Sequence, residues 1–134
     1  MANALYDTGR NAFLNGEINY TGDTIKMALV SDGYTPDLAN HNFYDDISTH
    51  VVGTPQELLG KTAVAGVANC SDVEFGTVAS GSTINYILIY KDTGSAAASQ
   101  LIALYDTAVG LPFVTSGAEI TIKIDTGANK LFKL

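Results

Sequence analysis

The chain has little of several residue types that carry chemistry or covalent stability. Its 134 residues include one cysteine, two histidines and no tryptophan. A single cysteine cannot form a disulfide within the chain, and Cys70 lies in the small-residue run 63–71, where a buried thiol is a common packing residue. The two histidines, His41 and His50, do not have the HExxH spacing of a helical zinc site. We therefore expect neither an internal disulfide nor a metal centre.

Motifs for enzymatic chemistry are also missing. The chain has no P-loop and no G-x-S-x-G turn, and Gly94 and Gly117 lie in turns rather than at a strand-to-helix junction. The neighbouring pair Asp45 and Asp46, with Asp37 nearby, offers oxygen ligands for calcium, but the spacing of an EF-hand loop is absent. We therefore expect a protein that is not an enzyme, with no cofactor and no small-molecule substrate.

Positive charge and long apolar runs are scarce as well. Seven basic residues stand against fourteen acidic ones, and the net charge of −7 repels nucleic acid and anionic lipid. No run approaches the ~18 apolar residues of a membrane helix, and residues 1–10 lack the basic region followed by an apolar region that is typical of a secretory signal. The sequence therefore predicts a protein made in the cytoplasm that binds neither nucleic acid nor membrane. A hydrophobic content of 46% is enough for one folded domain over residues 1–134.

What the chain does contain is a series of apolar runs separated by glycine-rich turns, which is typical of β-strands. The run 84–91 is apolar on both faces and is expected at the centre of the core, whereas 118–125 alternates and is expected to be half-exposed. The predicted fold is mainly β, an antiparallel β-sandwich or barrel-like single domain with one short N-terminal helix. The strands are predicted at 24–31, 61–69, 72–78, 84–91, 101–106 and 118–125.

The helix is predicted over residues 3–15. Its apolar residues fall near helical spacing, Asn3 is a suitable N-cap, and Gly16 suits the left-handed position after the last turn. Such a short helix is marginal alone, so it is expected to dock on its own sheet or on a neighbouring subunit.

Residues 33–60 show no sustained period and are predicted to be a long irregular loop, which makes them a candidate contact segment. Its aromatic rings would anchor either an interface or the loop itself on the core. The apolar last residues would form a final strand or pack against another chain. The candidate protein-interface residues are the large apolar side chains of the helix, the loop and the C-terminal segment: Leu5, Tyr6, Phe13, Tyr34, Phe43, Tyr44, Leu131, Phe132 and Leu134.

Four blocks of the sequence, in this order and spacing, resemble a family of small virion proteins from tailed bacteriophages. They are MANALYD (1–7), DTIKMALV (23–30), ILIYKDTG (87–94) and DTGANKLFKL (125–134). The resemblance implies a structural protein without catalytic residues, acting as a decoration or cement protein on the exterior of the capsid. Its implied partners are the major capsid protein and copies of itself, as a homotrimer. Many weak contacts would then add through multivalency.

Two other functions stay open. A neck or tail component would also be a virion structural protein, and its copy number would be a multiple of six or twelve rather than hundreds. A carbohydrate-binding module of the virion surface is a different class, favoured if two or more of the seven tyrosines are exposed and coplanar.

Overall fold

The computed structural model describes residues 4–107, 111–124, 126–127 and 130–134. Strands account for 41% of these residues and helical segments for 14%, so the predicted mainly β fold is confirmed. One α-helix lies near the N-terminus, also as predicted. The elements are β1 (Ala4–Leu5), α1 (Asp7–Leu14), β2 (Ile25–Ser31), β3 (Val51–Glu57), β4 (Thr62–Val64), β5 (Val67–Asn69), β6 (Val73–Thr77), β7 (Thr83–Lys91), β8 (Leu101–Tyr105), β9 (Phe113–Val114), β10 (Glu119–Ile122) and β11 (Phe132–Lys133).

The largest sheet, called the main sheet below, has the antiparallel order β1-β8-β7-β2-β3, with β9 paired to the start of β7. The two long apolar strands β2 and β7 lie side by side, and Met27 stands opposite Ile89. Both strands are buried on their two faces over most of their length, because each face is covered by other parts of the chain. The predicted central position of residues 84–91 is confirmed.

One face of the main sheet packs against two smaller antiparallel sheets, β6-β10 and β4-β5-β11. Met27 and Ile89 of the main sheet share a hydrophobic cluster with Phe75 of β6 and Phe132 of β11. The result is a small β-sandwich-like domain, in which the smaller sheets form the second layer.

The opposite face of the main sheet is covered by a loop rather than by a sheet. Strand residues alternate in and out, so Ala28 and Val30 face away from Met27. They form a second cluster with Tyr34 and Ile47 of the segment between β2 and β3. This segment contains two short 3₁₀ turns, Tyr44–Asp46 and Ser48–His50.

The helix is shorter than predicted, since it begins at Asp7 and not at residue 3. Residues Ala4–Leu5 instead form an edge strand paired with Ala103 and Leu104 of β8. Pairing with the sheet therefore replaces the helical conformation that the spacing of apolar residues predicts for them. The expected N-cap Asn3 lies outside the described residues. Gly16 has a φ of +73°, as expected for the position after the helix.

The predicted irregular segment 33–60 contains a strand, β3, at Val51–Glu57, and this part of the prediction was wrong. Gly53 and Pro55 interrupt the alternation of apolar and polar residues by which a strand is recognised in a sequence. The structure places β3 at an edge of the main sheet, where a proline needs no partner for its missing N–H. Gly53 has a φ of +72° inside the bulge that interrupts the pairing with β2.

Two further strand predictions are corrected in detail. Residues 61–69 form not one strand but the hairpin β4-β5, whose turn residues Ala65 and Gly66 both have positive φ. An Ala-Gly turn lacks the usual Asn-Gly or Asp-Gly signature. In β6 a bulge changes the alternation after Phe75, so Val78 rather than Thr77 is buried.

The C-terminal segment is tied down as a strand, because β11 pairs with β5. This outcome is one of the two expected for the apolar end of the chain. Strand β10 is half-exposed as predicted but ends at Ile122. Among the described residues, no helix is long and apolar enough to cross a membrane.

Candidate functional site

Five of the nine candidate interface residues lie inside this chain's own core. Their side chains are at most 9% exposed, and they belong to the two hydrophobic clusters on the faces of the main sheet. These five side chains therefore pack on the protein's own sheet, which is the alternative to an interface with another chain. The five residues are Leu5, Tyr6, Tyr34, Leu131 and Phe132.

Three of the other four are half-buried and make contacts within the chain. Phe13 of α1 packs on Phe132 with ring centres 6.0 Å apart. Tyr44 stacks on Tyr90 of the main sheet at 4.4 Å, which holds the loop against the sheet. Phe43 forms a bridge with Gln100 just before β8.

The fourth, Leu134, is 60% exposed and is one of several large apolar side chains open to solvent. Val64, at the end of β4, is 72% exposed. Both stand beside the turn at Ala65 and Gly66, since the Leu134 N–H donates to the Gly66 carbonyl at 3.0 Å. We call Val64 and Leu134 the apolar tip.

A polar cluster of titratable groups in the loop-covered face centres on Tyr34. Its hydroxyl bonds the Tyr6 hydroxyl at 2.9 Å and His41 Nδ1 at 2.7 Å. The His50 ring lies 5.9 Å from the Tyr34 ring. Burial, reinforced by the bond to Tyr34, raises the pKa of Tyr6 far above its ordinary value. These phenols remain protonated at neutral pH, and the arrangement anchors the loop.

Two acidic residues of the loop accept hydrogen bonds from the loop itself. Asp46 accepts from the N–H of Asn42 at 2.9 Å, and Asp37 accepts from the amide of Asn40 at 3.0 Å. The Asn40 side chain lowers the pKa of Asp37. Within the described ranges, no three His, Cys, Asp or Glu side chains are grouped as a metal site would require.

Cys70 is buried, which matches its expected packing role. Burial raises the pKa of its thiol to about 11, although the neighbouring Tyr20 side chain acts in the opposite direction. The Tyr20 hydroxyl itself donates to the Asn69 carbonyl at 2.8 Å. The thiol is therefore protonated and poorly nucleophilic at neutral pH.

An open cleft of about 1080 Å³ lies on the sandwich side of the main sheet, between that sheet and the strands β10 and β11. Its floor is apolar and includes Met27 and Ile87. Four basic residues line it, and none of its described lining residues is acidic. We call it the lysine cleft, after three of these four residues: Arg10, Lys123, Lys130 and Lys133.

The three lysines of the cleft differ from the other four basic residues in their partners. Lys26 pairs with Asp92 at 2.7 Å and lowers the pKa of that carboxyl, while Lys91 pairs with Asp23 at 3.1 Å. Lys61 donates to a backbone carbonyl. In the cleft, Arg10 pairs with Asp7, whereas the three lysines are exposed and pair with no carboxylate in the described part of the chain.

The lysine cleft was missed from the sequence, and of the two residues of the apolar tip only Leu134 was among the candidate interface residues. The signal for the cleft was present, because three of the chain's seven basic residues lie between residues 123 and 133. These lysines line one cleft only because β10 pairs with β6 and β11 pairs with β5, and the sequence does not reveal those pairings. No sequence signal identified Val64 as a contact residue, since the sequence predicts a single strand over residues 61–69 instead of the hairpin β4-β5.

No family model matches the chain, and no curated protein matches it. A function for this protein therefore follows from its own residues and from the resemblance of its four blocks.

Proposed function

We propose that the protein is a non-enzymatic structural protein of a tailed-bacteriophage virion, and that it decorates the outer face of the capsid shell. The observation that carries the proposal is the exposed apolar tip at the end of the sheet β4-β5-β11, beside the turn of Ala65 and Gly66. Exposed apolar side chains that lie together in this way favour contact with another protein.

Strand β4 supports this role because it is an edge strand whose residues carry neither a charge nor a proline. All three of its residues, Thr62–Val64, are exposed, and the strand pairs only with β5 in the described part of the chain. Charges and prolines are common means by which natural sheets protect such edges. The N–H and C=O groups of β4 that do not pair with β5 are therefore available to a capsid protein.

The resemblance supports the same role from a different direction. Three of its four blocks fall on strands of the main sheet, namely β1, β2 and β7, and the fourth contains β11. The blocks therefore coincide with the residues that build the fold. As a cement protein, each copy would bridge neighbouring capsid subunits through contacts that need only modest individual affinity.

The observation that would favour a carbohydrate-binding module, two or more exposed and coplanar tyrosines, is absent among the described residues. All seven tyrosines lie in the described part of the chain, and none is among the exposed residues. The one stacked pair, Tyr44 and Tyr90, has a buried member. No pair of open, coplanar rings is available to stack on a sugar.

The test mixes the purified protein with expanded capsids that lack it, and measures co-sedimentation and the melting temperature of the shell. We expect binding at hundreds of copies per particle and a higher melting temperature. The variant V64S should bind about tenfold or more weakly, since it removes an apolar contact at the interface centre. V114S is the matched control, because Val114 is 65% exposed and also lies in an edge strand.

Either substitution should change the protein's own stability by about 0.5 kcal/mol or less, because both side chains are exposed. Failure of the wild-type protein to bind capsids would overturn the proposal. Equal binding by V64S and wild type would show that the apolar tip is not the contact surface for the capsid. A copy number of six or twelve in purified particles would identify a neck or tail component instead.

A further inference from the structure

Charge is distributed unevenly between the two faces of the main sheet. No lysine or arginine occurs from Met27 to Gly60, although this stretch carries five of the fourteen acidic residues. Four of these five lie in residues 32–50, here called the acidic loop: Asp32, Asp37, Asp45 and Asp46. The lysine cleft carries four of the seven basic residues.

These two surfaces lie on opposite sides of the same sheet. The acidic loop covers the face of Ala28 and Val30, through Tyr34 and Ile47. The floor of the lysine cleft includes Met27, which points to the other face. One chain therefore presents a negative surface on one side and a positive concave surface on the other.

The charges on both surfaces are available to a partner. Asp32, Asp45 and Asp46 are exposed, as are Lys123, Lys130 and Lys133. The acidic loop contains no lysine or arginine, and the three lysines pair with no carboxylate in the described residues. Opposite charges placed in this way attract between molecules and fix their orientation.

We propose that the lysine cleft of one copy receives the acidic loop of a second copy, so that the protein associates head to tail. Charge complementarity selects this occupant, because the loop supplies the anionic groups that the cleft lacks.

The placement of the two surfaces determines the symmetry of the assembly. Two different patches on opposite sides cannot form an isologous dimer, in which each copy uses the same patch. Head-to-tail contacts close into a ring when the rotation between copies allows it. The inference rests on the proposed structural role, and it names the contact that would join neighbouring copies on a shell.

The first experiment measures the mass of the isolated protein by sedimentation in 50 mM and 500 mM NaCl. We expect oligomers in low salt and a dissociation constant about tenfold or more higher in high salt, because surface charges are screened. K123Q/K133Q should be monomeric in low salt. The control S80E/S116E makes the same change of net charge, from −7 to −9, at exposed residues that belong to neither surface, and should assemble like wild type.

The second experiment exchanges the charges. K123E/K133E and D32K/D45K should each fail to assemble, because each places like charges in contact. The chain carrying all four substitutions has the wild-type net charge and complementary surfaces again, so it should assemble. Circular dichroism of each variant checks that it is folded.

Three results would overturn the inference. They are a monomeric wild type in low salt, assembly of K123Q/K133Q equal to that of the control, and failure of the four-substitution chain to assemble although folded. If the wild type is monomeric while K123Q/K133Q loses capsid binding, the occupant of the cleft is the capsid and not a second copy. Loss of capsid binding by every variant and the wild type together would instead refute the proposed function.

Discussion

The substitution of Gly9 by alanine separates two physical effects that act in opposite directions. Gly9 is the third residue of α1 and is buried where the helix meets β8. A Cβ at this position would lie 2.7 Å from the Leu101 carbonyl oxygen and 3.1 Å from the Cα of Ile102. These are backbone atoms of a strand in the main sheet, so they cannot move aside by rotating a side chain.

The sign of the effect follows from two magnitudes. Alanine is favoured over glycine in a helix interior by about 1 kcal/mol. Overpacking against a core costs roughly 1–3 kcal/mol, and contact with backbone atoms places this case at the upper end, about 3 kcal/mol. We therefore expect G9A to lower the free energy of unfolding by about 2 kcal/mol. For a domain of this size, the melting temperature should fall by roughly 8 °C.

Urea and thermal unfolding followed by circular dichroism measure this change. The control is N11A, because Asn11 is exposed on the same helix and alanine there should add about 0.5 kcal/mol through helix propensity alone. If G9A is instead about 1 kcal/mol more stable than wild type, then helix propensity outweighs packing. The close approach of α1 to β8 would then be refuted.

Two further predictions concern the core. Burial raises the pKa of Tyr6, so the folded state holds this proton more tightly than the unfolded chain, and stability is intact below about pH 10 and falls as the pH rises further. Urea midpoints from pH 8 to 11 measure this loss, and a constant midpoint would contradict it. F132A should cost about 3–4 kcal/mol, since Phe132 packs edge-on against Tyr20 at 5.7 Å, whereas L134A should cost about 0.5 kcal/mol or less. Equal losses in urea unfolding would contradict the buried position of Phe132.

Strands with a simple burial pattern were predictable from the sequence. The run 84–91 is apolar on both parities, and its burial on two faces required no knowledge of its neighbours. The errors fall where a local pattern is interrupted. Gly53 and Pro55 break the alternation of β3, and the turn at Ala65 and Gly66 uses a residue that rarely adopts positive φ.

The candidate site was less predictable than the fold. Large apolar side chains are the basis on which the sequence predicts contact residues, but apolar character alone does not distinguish the core from an interface. Tyr34 and Leu131 are core residues. The lysine cleft depends on which strands pair across the sandwich. That information lies in tertiary packing and not in the spacing of Lys123, Lys130 and Lys133.

The pairing of β1 with β8 has a consequence for how the chain folds during synthesis. Ala4 lies opposite Leu104, so the first strand has no partner until about a hundred further residues have left the ribosome. Likewise, Ala68 of β5 stays without its partner Phe132 until the 64 residues after it have been synthesised. Long-range strand pairing of this kind is slow, so we expect the native sandwich to form only after β11 has left the ribosome.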